Sequence, residues 1–297
     1  MDLPTAFVAR LASEYGDDDA RAVLATMQAS KRTSYWVNPL REGEVPAIGD
    51  PVPGLDQVYS VADAREAVVR HPAATTGRIY VVNPSSVLAV TALDPQPGEA
   101  VLDLAAAPGG KTLIAAARMR NTGTITAVDA IKSRYYRMRA NLERCGATNV
   151  HCWLDDGRNL GRRMPKMFDR VLLDAPCSSE ARFRAGTPGT FSHWSPRKVR
   201  ETTRKQRGLI RAAFACLKPG GTLVYCTCSF GRKENEGIVE YLIKREPTAR
   251  IVPLAWPELT VARACGIDGT VRIHPDATFD GFYVARLTKL LGRDVVQ

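Results

Sequence analysis

The stretch VLDLAAAPGGKT, residues 101–112, decides how the rest of the chain is read. A short aliphatic run (VLDLAA, 101–106) leads into two glycines and then into a helical candidate at 111–120. Strand, glycine turn and helix in that order form a ligand-facing corner: glycine lets the backbone approach a ligand, and the helix N-terminus presents unpaired N–H groups. Working outward, TITAVDA (124–130), VHCWLDD (150–156), RVLLDAP (170–176) and GTLVYCTCS (221–229) read as strands, with helices over 132–145, 196–217 and 232–245. Strands alternating with helices predict an α/β fold with a mostly parallel sheet covered on both faces. The runs IVPLA (251–255) and FYVARLTK (282–289) are expected to close it as an antiparallel pair.

Ahead of this unit lie two expected helices, about 4–15 and 18–30, then a β-like SYWVNPL (34–40) and a Pro/Gly-rich stretch. Residues 1–75 are read as a small N-terminal α/β extension of RNA-binding type, and 76–297 as the main domain. A length of 297 residues fits that division, and 45 % hydrophobic with 24 % charged residues excludes wholesale disorder. No run approaches the ~18 apolar residues of a membrane span. The acid-rich start fits neither a secretory signal nor a transit peptide, so a cytoplasmic location is expected; a monomer is expected as well. Seven cysteines without a CxxC pair suggest free thiols rather than a disulfide framework or a zinc knuckle. No metal is expected.

The net charge of +10 is unevenly spread: residues 1–75 hold seven Lys/Arg against eleven Asp/Glu, and the remainder carries +14. A basic body suits a polyanionic partner, nucleic acid ahead of membrane, although it also serves solubility.

The glycine corner has a rival reading. Gly110-Lys111-Thr112 ends like the phosphate loop of an NTPase, but that motif needs glycine where Ala105 stands, and Pro108 removes an N–H from the cradle. Acidic residues at the strand ends favour a nucleoside instead. Asp129 is placed to accept from a ribose diol, and Asp156 could take an adenine amine. Loop, ribose acid and third-strand acid in this order fit an adenosyl cofactor such as S-adenosylmethionine, against the plainer reading of both acids as turn residues.

After the fourth expected strand, DAPCSS (174–179) sets Asp174 and Cys177 three residues apart, and YCTCSF (225–230) adds Cys226 and Cys228 after the fifth. A single buried thiol is usually inert. Two thiols and an acid at neighbouring strand ends suit methylation of a pyrimidine at carbon 5, where a thiolate adds to carbon 6 and makes carbon 5 nucleophilic. A carboxyl group at ring nitrogen 3 would stabilise the developing charge.

DLAAAPGGKT, DAPCS and TCSF together resemble the NOL1/NOP2/Sun (RsmB/NOP) family of RNA cytosine-5 methyltransferases. The likeness runs over about 34–290 and takes in IYVVNPSS, KENEG (233–237) and DGFYVARL (280–287). It implies a class I Rossmann-like methyltransferase acting on ribosomal or transfer RNA. Cys228 is then the nucleophile, Cys177 the residue that assists product release, and Asp174 the acid held against the base. The same resemblance puts Ala105, Ala106, Ala107, Pro108, Gly109, Gly110 and Lys111 at the methionine end of the cofactor, with Asp174 beside them. It puts Asp129 and Arg134 at the ribose and Asp156 at the adenine. Two positions depart from the family: Val82 stands for a usual glutamine and Trp36 for a common arginine, both read as affecting RNA contacts rather than catalysis. No PUA-like or NusB-like module is expected.

A DNA cytosine-5 methyltransferase, with Cys177 as nucleophile, and a non-catalytic RNA assembly factor remain as alternatives; the second thiol and the intact Asp174 argue against them. Between Ala181 and Arg211 there are nine Lys/Arg and one acid. Arg197, Arg200, Arg204, Arg207 and Arg211 fall on one helical stripe, read either as a phosphate rail or as a solvated face. Phe183, Phe191 and Trp194 would stack a flipped-out base or form a hydrophobic lid, and the lid is preferred. Lys111 or Arg184 is a candidate for orienting substrate.

Overall fold

The computed structural model describes residues 3–256 and 258–291. Its N-terminal part comprises α1 (Thr5–Tyr15), α2 (Asp17–Thr26), β1 (Thr33–Val37), β2 (Asp50–Pro51), β3 (Val58–Val61), α3 (Arg65–Arg70), α4 (Pro72–Thr76) and β4 (Ile79–Val81). The main body follows with α5 (Pro84–Leu93), β5 (Ala100–Asp103), α6 (Gly110–Arg118), β6 (Thr124–Asp129), α7 (Lys132–Arg144), β7 (Val150–Leu154), α8 (Leu160–Arg163) and β8 (Phe168–Asp174). It ends with α9 (Pro196–Cys216), β9 (Leu217–Thr227), α10 (Glu236–Arg245), β10 (Ala249–Ile251), β11 (Ala262–Ala264), β12 (Val271–Ile273) and β13 (Phe282–Lys289).

The large sheet runs β11-β12-β13-β9-β8-β5-β6-β7, with β10 paired to β13. Strands β9, β8, β5, β6 and β7 are parallel, and β13 lies antiparallel on β9. This is the expected Rossmann-like architecture. Side chains of one strand alternate between two cores: Leu172, Val224 and Cys226 face α5 and α6, whereas Val171, Leu173, Leu223 and Tyr225 face α9 and α10. Both faces must therefore be apolar, which is why the strands read as continuous hydrophobic runs. From β5 the chain winds outward through β6 and β7, then returns to β8 on the other side. The strand order thus reverses between β5 and β8, and a crevice opens at their carboxyl ends. Among the described residues no helix is long and apolar enough to cross a membrane.

The extension differs from its expected outline in two ways. Its four-stranded sheet, β2-β3-β1-β4, takes in Ile79–Val81, so it reaches past residue 75. Helix α2 stops at Thr26 rather than near residue 30. The helical pair α1–α2 leaves that sheet and packs on the main body. Phe7, Leu11, Val23, Leu24 and Met27 form one core with Phe183, Phe191, Trp194 and Phe230. The aromatic trio is 0 %, 7 % and 8 % exposed and is covered by α1–α2, so its rings present no open face to a base in this structure. Trp36 is also largely buried, at 5 % exposure.

On α9, Ser195 caps the N-terminus by accepting from Lys198 N, with Pro196 in the first turn. The helix buries Val199, Ile210 and Phe214 and exposes all five stripe arginines. Arg197 pairs with Glu201, and Arg207 lies over the Tyr241 ring.

Candidate active site

A cavity of about 550 Å³ lies at the reversal point between β5 and β8. Its walls carry Ala105, Ala106, Ala107, Pro108, Gly110, Lys111, Arg134, Asp174, Cys177 and Cys228, ten of the thirteen residues expected from sequence. The other three are Gly109, Asp129 and Asp156.

The glycine corner is held from below. Ala106 N donates to Val128 O at 2.9 Å, Ala107 N to the Asp129 carboxylate at 3.3 Å, and Arg134 to Ala107 O at 2.6 Å. Gly109 adopts φ +102°, which L side chains rarely take, and turns the chain into α6. At Gly110 a Cβ would stand 2.9 Å from the Tyr80 ring, so the close approach of β4 requires glycine there. Asp129 is 3 % exposed beneath this loop and also accepts from Ile131 N. Asp156 is elsewhere engaged: its carboxylate caps the turn at 157–159 and chelates Arg158, which holds it below the usual carboxylate range.

Asp103, which closes β5, lines the cavity although it was not singled out from sequence. One of its oxygens accepts from Thr112 at 2.7 Å; the other is buried without a partner among the described residues. Burial pushes its carboxyl up to about 7. An unpaired buried acceptor facing a glycine-lined helix N-terminus fits a ligand bearing an amine and a carboxylate. S-adenosylmethionine has both.

The chemical end of the cavity is built by β8 and β9. Their parallel register sets Asp174 beside Cys226, and Ala175 N and Ala181 N donate to Cys226 O and Cys228 O at 2.9 and 3.1 Å. The loop after β8 is thereby folded onto the loop after β9. Cys177 Sγ and Cys228 Sγ stand 3.4 Å apart. Cys226 is still inside β9, fully buried, with its thiol 3.6 Å from Asp174; burial pushes that thiol well above its ordinary range. Cys228, one residue past the strand end, has turned into the cavity.

The two cavity thiols are unequal. The hydrogen bond with Cys177 lowers the Cys228 thiol, and the guanidinium of Arg182 lowers it further against the cost of burial. Cys177 is correspondingly raised. One thiol is thus the more readily ionised and the other the more firmly protonated. Lys111 donates to Asp174 at 2.7 Å and contacts Ser86 at 3.2 Å, so it fixes the acid at the cavity floor. Burial works against its ammonium, but Asp174 and its acidic neighbours outweigh that and leave its pKa raised.

Sequence reasoning missed Arg182, which lines the cavity and makes no side-chain hydrogen bond or ion pair among the described residues. The candidate named instead, Arg184, is spent on Ala181 O, Phe183 O and Asp280. Nothing in the local pattern separates the two arginines; only the packing of Phe183 between them does. Val82 lines the cavity, giving it an apolar wall where the family's glutamine would be polar.

A parallel sheet with a glycine corner and paired thiols at its switch point defines a Rossmann-like methyltransferase fold with a two-thiol site. Residues 90–288 match the model of the 16S rRNA methyltransferase RsmB/F family, and the chain belongs to that family. It is 43 % identical over 224 residues to the ribosomal RNA small subunit methyltransferase F of Klebsiella pneumoniae (strain 342), covering 74 % of this chain and 46 % of that protein. The chain thus spans about half the length of the curated relatives it matches. Among solved structures, a methyltransferase homologue from Pyrococcus horikoshii superposes with a TM-score of 0.80 at 29 % identity, covering 97 % of this chain and 96 % of that one. NSun6 from Pyrococcus horikoshii, solved with SFG, shares the fold with a TM-score of 0.79 at 22 % identity, covering 97 % and 99 %.

Proposed function

We propose that this protein transfers a methyl group from S-adenosylmethionine to carbon 5 of a cytosine in small-subunit ribosomal RNA, acting as a cytoplasmic monomer. The RNA class comes from the relatives' names; the chemistry rests on one observation, the 3.4 Å thiol pair beside Asp174 at the end of a glycine-cornered cavity.

S-adenosylmethionine supplies an electrophilic methyl group when bound. Toward it, Asp103 offers its unpaired oxygen, the α6 N-terminus its N–H groups, and Asp129 and Arg134 the region beneath the corner. The protein's own work is on the base. Cys228 forms a bond to carbon 6 and shifts electron density to carbon 5. Asp174, fixed by Lys111, accepts or donates at nitrogen 3 as charge develops. After methyl transfer, Cys177 or solvent takes the carbon-5 proton, the electrons of that bond restore the 5,6 double bond, and the carbon–sulfur bond breaks, returning Cys228 as thiolate. Cys177 is close enough to assist that elimination.

The test is transfer of labelled methyl groups to small-subunit ribosomal RNA, followed by nucleoside analysis. Label in 5-methylcytosine supports the reading; label in another nucleoside, or none, refutes it.

A further inference from the structure

Both cavity thiols are followed by a serine, and the two serines meet on one carboxylate. Ser178 N donates to Glu234 at 3.0 Å, the Ser178 hydroxyl bonds to the same carboxylate, and Ser229 Oγ lies 2.8 Å from it. The serine hydroxyls are 3.2 Å from each other. On its far side Glu234 is held by α9, through Thr202 at 2.8 Å and Gln206 at 3.3 Å, and Gln206 also donates to Pro176 O in the loop before Cys177. Glu234, Ser178 and Ser229 are all at most 2 % exposed.

This is an unusual use of a buried acid. No Lys or Arg pairs with Glu234 among the described residues; its partners are neutral donors, and burial raises its carboxyl. An acceptor with about four lone-pair sites and no cation organises the donors around it, and here two of them belong to the catalytic loops. The carboxylate is therefore a pin through two loops that are joined besides by sheet-end hydrogen bonds and by Glu180, which accepts from Ser229 Oγ and Phe230 N.

We propose that Glu234 is a positioning residue of the two-thiol site: by holding the serine after each thiol, it sets the Cys177–Cys228 separation at which one thiol can serve the other. The proposal deepens the two-thiol reading above and rests on it. Glu234 touches neither sulfur; apart from its charge, which helps to keep the Cys177 thiol raised, its effect is on their relative placement. A misplacement of about 1 Å at a reacting pair can cost up to about a hundredfold in rate.

The test reads the thiol pair without RNA. Diamide oxidises two neighbouring thiols to a disulfide and is itself reduced to the hydrazine, and closure needs the sulfurs to come to about 2.05 Å. Peptide mapping of the full chain after timed diamide exposure gives the Cys177–Cys228 closure rate. Glu234→Ala is expected to slow closure at least about tenfold, and Glu234→Gln, which keeps shape and one acceptor oxygen, by less. The control is Glu236→Gln, which breaks a buried ion pair with Arg272 in the same segment without touching either serine. It should lower stability and leave closure within about twofold of the unaltered chain. If Glu234→Ala does not fold, the Ser178→Ala, Ser229→Ala double variant carries the same expectation. Unchanged closure in a folded Glu234→Ala or double serine variant, or equal slowing in Glu236→Gln, overturns the proposal. Slowed closure in a chain that methylates no RNA would leave the pin standing and refute only the function proposed above.

Discussion

Arg10, from the first helix, reaches the catalytic loops through a buried acid, and its removal should be costly. Its guanidinium donates at 2.7 Å to Glu180, whose side chain is fully buried while that of Arg10 is 21 % exposed. Glu180 also accepts from Trp194 Nε1 at 2.7 Å, Phe230 N at 3.0 Å and Ser229 Oγ at 3.1 Å. Arg10→Met keeps the length of the stem, removes the guanidinium whose carbon lies 5.7 Å from the Phe7 and Trp194 ring centroids, and strands the carboxylate. Removing one partner of a buried pair costs about 3–5 kcal/mol. The three remaining donors and the partial exposure of Arg10 place this case near the lower end, about 3 kcal/mol. For a chain of this size that is a fall in Tm of about 5 °C. The assay is urea unfolding of Arg10→Met, Glu180→Gln and the double variant. The double variant should be less destabilised than the sum of the singles by about 2 kcal/mol, because neutralising both ends removes the stranded charge. A loss below about 1 kcal/mol in Arg10→Met, the range of exposed pairs, would refute the claim that the α1–α2 pair is locked into the site.

Arg182→Gln removes the cation beside Cys228, so its thiol rises and less of it is thiolate at neutral pH; alkylation of Cys228 by iodoacetamide at pH 7 should slow by about tenfold and its pH profile move upward, and an unmoved profile would contradict this. Asp103, raised to about 7 by burial, binds its proton more tightly folded than unfolded. The chain should therefore lose stability relative to Asp103→Asn as pH rises from about 4 to about 7, with the difference constant above that; parallel unfolding curves across this window would refute it. On α9, Arg200→Gln with Arg204→Gln should weaken RNA binding and flatten its salt dependence by roughly 0.7 per lost phosphate contact, whereas an unchanged slope returns the stripe to ordinary surface.

The sheet and its glycine corner were legible because their signals are local: apolar runs of strand length, glycines where the chain turns, acids at strand ends. The same locality located Cys177, Cys228 and Asp174. What escaped depends on packing. Asp156 has the strand-end position of a ligand acid, yet its own neighbour Arg158 captures it two residues on. β4 sits in sequence beside the main body but pairs with β1, because Ile79–Val81 matches the register of Tyr35–Val37. The strands β11 and β12 have only three residues each, too few for their alternation to stand out, and they join the sheet through the pairing of β12 with β13. Glu180 and Glu234 carry no local sign of their burial, which comes from α1, α9 and the two loops closing over them.

The most direct test of the central claim is the covalent adduct between this protein and RNA. With S-adenosylmethionine and RNA supplied, Cys177→Ala should accumulate a denaturation-resistant protein–RNA species, because attack proceeds and release fails, and Cys228→Ala should form none. Adduct from Cys228→Ala and none from Cys177→Ala would exchange the roles of the two thiols and contradict the account.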